Sequence, residues 1–196
     1  MQERIDQFKK HVTEASASPD FIHHSWFITW HLEIVEAIAN ELLQHYPEAD
    51  KDMVEVMVWL HDYGKILDFD NQYQMTLSAG RSKLLELGFN KAFVDRAIEN
   101  IETLDKKLEL DISKTSIEVQ IVSSADGCSH LVGPFMYMWW HENNSKPFEV
   151  LMADTKKKAL KDWNYKIVLP EARKNFRARF DLIMEQSGDL PDVYIT

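Results

Sequence analysis

The sequence predicts an all-α fold. Apolar residues recur at spacings of three and four through nearly every segment, and Gly, Pro and Asx residues punctuate the chain between those segments. At 196 residues and 45% hydrophobic, with no internal repeat and no low-complexity tract, the chain is long enough to bury one sizeable helical core.

Taken in order, Glu3 to Ser16 carries Ile5, Phe8 and Val12 on one helical face, and Ser18-Pro19-Asp20 ends it. From Ser25, read as an N-cap, to about His45, a second stripe runs through Phe27, Ile28, Ile34, Val35, Ile38, Leu42 and Leu43. His31 lies beside that stripe, one turn before Ile34 and Val35, so its imidazole should point inward. Tyr46-Pro47-Glu48 breaks the chain, Asp50 can cap the next helix, and Met53 to Leu60 is apolar on nearly every side, which predicts a central helix. His61 and Asp62 fall in its last turn, and Gly64 is expected just beyond it in a left-handed conformation.

Ile66 to Gln72 reads as a loop carrying Asp68 and Asp70, followed by helices from about Tyr73 to Leu87 and from about Asn90 to Leu104. Ser113 is a candidate cap. The β-branched Ile117, Val119, Ile121 and Val122 would allow a strand, but helical spacing continues through Cys128 to Leu131 and Val132 and favours a helix. Asp126 falls inside it among buried-looking neighbours and needs a counter-charge or a metal to offset its desolvation. Gly133-Pro134 interrupts before the aromatic Phe135 to Trp140 segment. Phe148 to Trp163 and Pro170 to Gln186 read as the closing helices, and Gly188 to Thr196 as a tail.

Composition narrows the function. With 32 acidic against 22 basic residues the formal charge is −10, which disfavours non-specific adhesion to nucleic acid or to an anionic membrane and points to small-molecule partners. A bound cation with a nearby lysine such as Lys65 would still let such a chain handle phosphate. Cys128 is the only cysteine, read as a buried inert thiol, consistent with a cytoplasmic protein. Met1 to Ala17 lacks the continuous apolar core of a signal peptide, and the most apolar stretch, Leu131 to Trp140, is about half of the ~20 residues a membrane span needs. Lys156-Lys157-Lys158 and the basic residues Arg173, Lys174, Arg177 and Arg179 are expected on solvated faces.

The chemistry concentrates in Leu60-His61-Asp62-Tyr63-Gly64-Lys65. Adjacent imidazole and carboxylate groups can turn toward one divalent cation. Taken alone, the pair could cap a helix end, His31 could be a satisfied core histidine, and Asp126 could pair with a base. Jointly, a His, a His-Asp and an Asp on separate buried helices favour metal binding over three unrelated structural roles.

This ordered set resembles the HD-domain superfamily of metal-dependent phosphohydrolases. His31, His61, Asp62 and Asp126 match its metal ligands, Leu60 to Lys65 is similar to its central signature, and Ala125-Asp126 with Ser129-His130-Leu131 is similar to its downstream element. The resemblance covers roughly Phe21 to Leu131 and implies a compact helical bundle holding a metal. The whole chain is then expected to form one HD-like domain over residues 1–196, with a core of about 21–131 and a C-terminal helical extension of about 147–187. The expected cofactor is one divalent transition metal ion: Mn, Fe, Co, Ni or Zn.

Members with two metals place histidines between the His-Asp pair and the last Asp, whereas none occurs here between His61 and His130. Gln74 and Ile101 or Glu102 stand where they might be, so a mononuclear site is expected, with Asp68, Asp70 or Glu102 as the residues that could recruit a second ion. The Gly-Tyr-Pro element of relatives specific for cyclic dinucleotides is missing after Lys65. The implied activity is hydrolysis of a small phosphorylated substrate, a phosphomonoester or a nucleotide, by metal-activated water. The competing reading is a catalytically silent module that holds a metal or senses a ligand. Lys65 would be a second positive centre or a surface ion pair, and Asp70 an acid that orients water or a plain loop acid. His130, four residues after Asp126, could reach substrate. His23 and His24 are left outside the metal set, Trp139 and Trp140 are either a base-stacking surface or core, and homo-oligomerisation stays open.

Overall fold

The computed structural model describes residues 1–193 and Ile195. Ten α-helices and no strand occur among these residues. The central helix is α3 (Lys51–Leu60), whose N-cap Asp50 accepts a hydrogen bond from the Met53 amide and in which every residue from Met53 to Leu60 is buried. A helix apolar on all sides has to be wrapped by others. α1 (Gln2–Ser16), α2 (Glu33–Leu43), α6 (Lys91–Asp105) and α7 (Ile117–Ser129) pack around it.

The short α4 (Tyr63–Leu67) lies against α5 (Gln72–Glu86). α8 (Phe135–Glu142), α9 (Phe148–Lys161) and α10 (Pro170–Gln186) follow, and Leu151 on α9, Ala172 and Phe180 on α10 are buried. One apolar cluster runs from Ile5 to Phe180, so α9 and α10 share the core of the preceding bundle, whereas Phe135 and Met136 of α8 pack with Trp26 in a second, smaller cluster.

Two π-helical turns interrupt the regular pattern: Ile28–Leu32 leading into α2, and Asp162–Lys166 following α9. Such turns insert a residue into the helical repeat, re-aim the side chains beyond it and recur at functional sites.

Three local expectations are corrected. Ser25 caps nothing, because residues 21–26 form turns and the helical geometry begins after them. Gly64 lies inside α4 without a positive φ. Its requirement is steric: a Cβ there would stand 1.9 Å from the Gln72 carbonyl oxygen and 2.6 Å from the Thr76 nitrogen, so only glycine lets α4 and α5 approach so closely. The cap of α7 is Ser116, which accepts from the Val119 amide, while Ser113 is itself bonded to Asp111. Tyr194 and Thr196, in the expected tail, lie outside the described residues. Among the described residues, no helix is long and apolar enough to cross a membrane.

Candidate metal centre

The end of α3 fixes the first donor. His61 follows Leu60 in helical conformation and its Nδ1 donates to the Val58 carbonyl at 2.7 Å. That bond places the ring proton on Nδ1 and leaves Nε2 with a bare lone pair. Nε2 is buried without a hydrogen-bond partner, 3.6 Å from Asp62 Oδ2 and 3.8 Å from Asp126 Oδ1. A buried lone pair facing two carboxylates is satisfied by a cation and by little else.

His31 projects from the first π turn and is almost fully buried. The Ser129 hydroxyl donates to the Asp126 carbonyl at 2.7 Å, so its oxygen is left to accept from His31 Nδ1 at 3.2 Å. His31 thereby presents the lone pair of Nε2, 3.3 Å from Asp62 Oδ2 and 3.9 Å from Asp126 Oδ1. Both imidazoles are held in the tautomer a metal ligand needs, each by a bond to its far nitrogen.

Asp62 and Asp126 each face the histidines and carry a lysine. Lys65 Nζ donates to Asp62 Oδ2 at 2.5 Å, and Lys166 Nζ donates to Asp126 Oδ2, leaving Asp126 Oδ1 directed at the rings. Burial works to raise both carboxyls, but the Lys65 ammonium beside Asp62 and the Lys166 ammonium beside Asp126 hold them well below the usual carboxylate range. Burial pushes His31 below its ordinary value against the pull of Asp62 and Asp126, which keeps the ring neutral. A neutral His31 beside ionised carboxylates is the protonation state from which a divalent ion is bound. The four residues predicted from the sequence are therefore brought together in a form that fits such an ion.

His130 belongs to this cluster more closely than its spacing suggested. Its Nε2 lies 3.4 Å from Asp126 Oδ1 and its ring stacks on His31 at 5.3 Å. With His31 and Asp126 it forms a second grouping of metal-ligand type, beside that of His31, His61 and Asp62. Nδ1 of His130 has an acceptor, Asp162 Oδ2 at 3.0 Å, and a donor, Lys158 Nζ at 2.8 Å, so either neutral tautomer is accommodated. Burial, assisted by Lys158, pushes this imidazole down to about 3.

Lys158, Asp162 and Lys166 escaped the sequence reading. Lys158 was expected on a solvated face; it instead turns inward and donates to Asp162 at 2.6 Å. Asp162 is fully buried and also lies 3.6 Å from Lys166, and the second π turn that holds both brings Lys166 onto Asp126. The close approach depends on small residues of α7. A Cβ on Gly127 would stand 2.8 Å from Ile167, and the Ser124 hydroxyl accepts from the Val168 and Leu169 amides. The regular spacing of four between Lys158, Asp162 and Lys166 is the sequence signal that was available for this face.

A cavity of about 260 Å³ opens onto the cluster. Five lysines line it, Lys65, Lys107, Lys158, Lys161 and Lys166, in a chain whose formal charge is −10. Trp139 and His23 also line it, whereas His24 turns back to the Phe21 carbonyl.

Asp70 does not reach this cavity: it is exposed, in a turn where Asp68 accepts from the Asp70 and Asn71 amides. Asp68 is used in that turn, and Glu102 pairs with Lys106. The acid that stands beside His61 and Asp62 is Asp105, which with Gln72 lines both this cavity and a neighbouring one. Among the described residues no grouping of metal-ligand type includes Asp68, Asp70 or Glu102.

The HD-domain family model matches residues 30–131, more than half of the chain and a span that contains His31, His61, Asp62, Asp126 and His130. No curated protein and no solved structure matches the chain.

Proposed function

The chain belongs to the HD-domain family, and on that premise we propose that it is a metal-dependent phosphohydrolase acting on a small phosphomonoester or nucleotide. The observation that carries the reading is the convergence of His31, His61, Asp62 and Asp126 around the bare Nε2 of His61, at the floor of a lysine-lined cavity. A divalent transition metal held by these four residues would supply Lewis-acid polarisation of a phosphoryl oxygen and an acidified water.

The chain's own groups supply the rest. Lys65 and Lys166 keep the two carboxylates ionised and oriented toward the imidazoles. Lys161 and Lys107 bring positive charge to the walls, where a phosphate dianion would otherwise meet the carboxylates of Asp62, Asp105 and Asp126, and Lys158, which burial pushes down to about 7 against the pull of Asp162, gains charge when an anion binds beside it. Lys65, which lines this pocket and is partly exposed, can exchange its carboxylate partner for a substrate oxygen. His130, kept neutral by burial, can present Nε2 to a substrate oxygen as a donor when Nδ1 accepts from Lys158, or as an acceptor when Nδ1 donates to Asp162. At about 260 Å³ the cavity falls just below the ~300–1,000 Å³ typical of ligand sites, which favours small substrates.

Phosphate release from a panel of nucleotides and phosphomonoesters by metal-loaded protein tests the proposal. Turnover that disappears in Asp62→Ala, with helical circular dichroism retained, supports it. Binding across the panel without turnover would favour a silent ligand-binding module instead.

A further inference from the structure

Beside the metal cavity lies a second cleft of about 240 Å³, formed where α8 packs against α9. Its lining combines Phe135, Met136 and Trp139 on α8 with Asp154, Thr155, Lys157, Lys158 and Lys161 on α9, and most of the surface it exposes is apolar. Phe135, Trp139, Lys158 and Lys161 line both cavities, so the two share a wall and differ in character: histidines and several carboxylates at one end, and at the other aromatic rings and lysines with the single carboxylate of Asp154. The α8 and α9 helices that make the cleft lie beyond the residues matched by the family model. They are tied together by Trp140 Nε1, which donates to Thr155 Oγ1 at 2.8 Å, so the cleft is held open by fixed elements rather than by loops.

We propose that this cleft binds an aromatic ring carried by the phosphorylated substrate, with Trp139 and Phe135 as its contact surface and Lys158 and Lys161 at the junction directing the attached phosphate toward His31, His61, Asp62 and Asp126. The inference rests on the reading of the metal site as a phosphate-handling centre. A dry cavity of about 150 Å³ suffices for a benzene ring, and 240 Å³ leaves room for a substituted or fused ring. Indole and phenyl faces favour a flat partner by offset or edge-on packing, and ammonium groups at the rim favour one that presents a π face and an anion together. Lys158 Nζ already lies 5.9 Å from the centre of the Phe135 ring, at the boundary where both features would meet.

Calorimetric titration of metal-loaded protein with phenyl phosphate, cyclohexyl phosphate and glycerol phosphate tests this without relying on turnover. Phenyl phosphate should bind about tenfold more tightly than glycerol phosphate, a difference of about 1.4 kcal/mol, and more tightly than cyclohexyl phosphate. The preference should fall to a ratio near one in Trp139→Ala. Trp139→Leu preserves apolar bulk, guards against misfolding of the alanine variant, and should lose the preference for phenyl over cyclohexyl phosphate. Equal affinity for phenyl and glycerol phosphates in the wild type, or a preference for phenyl over cyclohexyl phosphate that survives Trp139→Leu, would overturn the aromatic subsite while leaving the phosphate reading intact. Equal binding of phenyl and cyclohexyl phosphates would overturn the aromatic assignment. Absence of metal-dependent binding by all three would overturn both.

Discussion

Replacing Lys166 by methionine keeps the length of the side chain and removes the charge that the second π turn delivers to Asp126. Asp162 would retain Lys158 at 2.6 Å and His130 at 3.0 Å, so the loss falls on Asp126, which is left with only imidazole partners. Both members of the Lys166–Asp126 pair are about a tenth exposed or less. Removing one partner of a buried pair costs about 3–5 kcal/mol, and the compensation at Asp162 places this case near 3. For a chain of this size the melting temperature should fall by roughly 6–12 °C in chelator-treated protein. Added divalent metal should restore part of the loss, because a cation again neutralises Asp126.

The pH dependence has a definite sign. The Asp126 carboxyl is held well below the usual range, so its contribution is present above the unfolded value of about 3.9 and is lost only as pH falls through the lower folded value. Without Lys166, burial raises the folded value above the unfolded one and the sign reverses: protonation relieves the buried carboxylate, so the gap in melting temperature between variant and wild type should narrow as pH falls through that raised value. Thermal melts across pH 3 to 8 in chelator and in metal (~pH range of carboxylate titration) read both effects. A melting temperature within about 2 °C of wild type, with an unchanged acid profile, would refute the assignment of Lys166 as the partner that holds Asp126.

Ser129→Ala removes the acceptor of the His31 Nδ1 proton and should weaken metal affinity by about 10–100-fold, measured by competition with a chelator; unchanged affinity would mean the hydroxyl does not orient the ring. Gly64→Ala forces a Cβ into the Gln72 carbonyl and should destabilise the chain by about 3 kcal/mol in urea unfolding, whereas a change below about 0.5 kcal/mol would show that α4 and α5 separate freely. Asp70→Ala should leave phosphate release within about twofold of wild type, since this acid is exposed and outside the cavity; a loss of about tenfold or more would restore Asp70 to the reaction.

The helices and the four candidate ligands were legible because each left a periodic or local mark. The stripe around His31 and the all-round apolarity of Met53 to Leu60 dictate burial, and burial turns His31 and His61 inward. Asp126 was legible as an acid that needed a counter-charge, but not that Lys166 supplies it, because that contact joins residues 40 apart through a π turn that breaks the helical period. Lys158 misled for a related reason. A run of three lysines reads as a solvated face until the packing of α9 over His130 turns one of them inward. Gly64 was read from its place after an apolar helix, whereas its requirement comes from the close passage of α5. Asp105 ends an amphipathic helix and carried no signal of its own; only the path of α6 past His61 sets it beside the site.

The central claim is that His31, His61, Asp62 and Asp126 hold one metal ion, and elemental analysis of purified protein tests it most directly. The account predicts about one divalent transition metal per chain, with the metal lost in His61→Ala and in Asp126→Ala while both variants remain helical. Metal content that is unchanged in those two variants would contradict it.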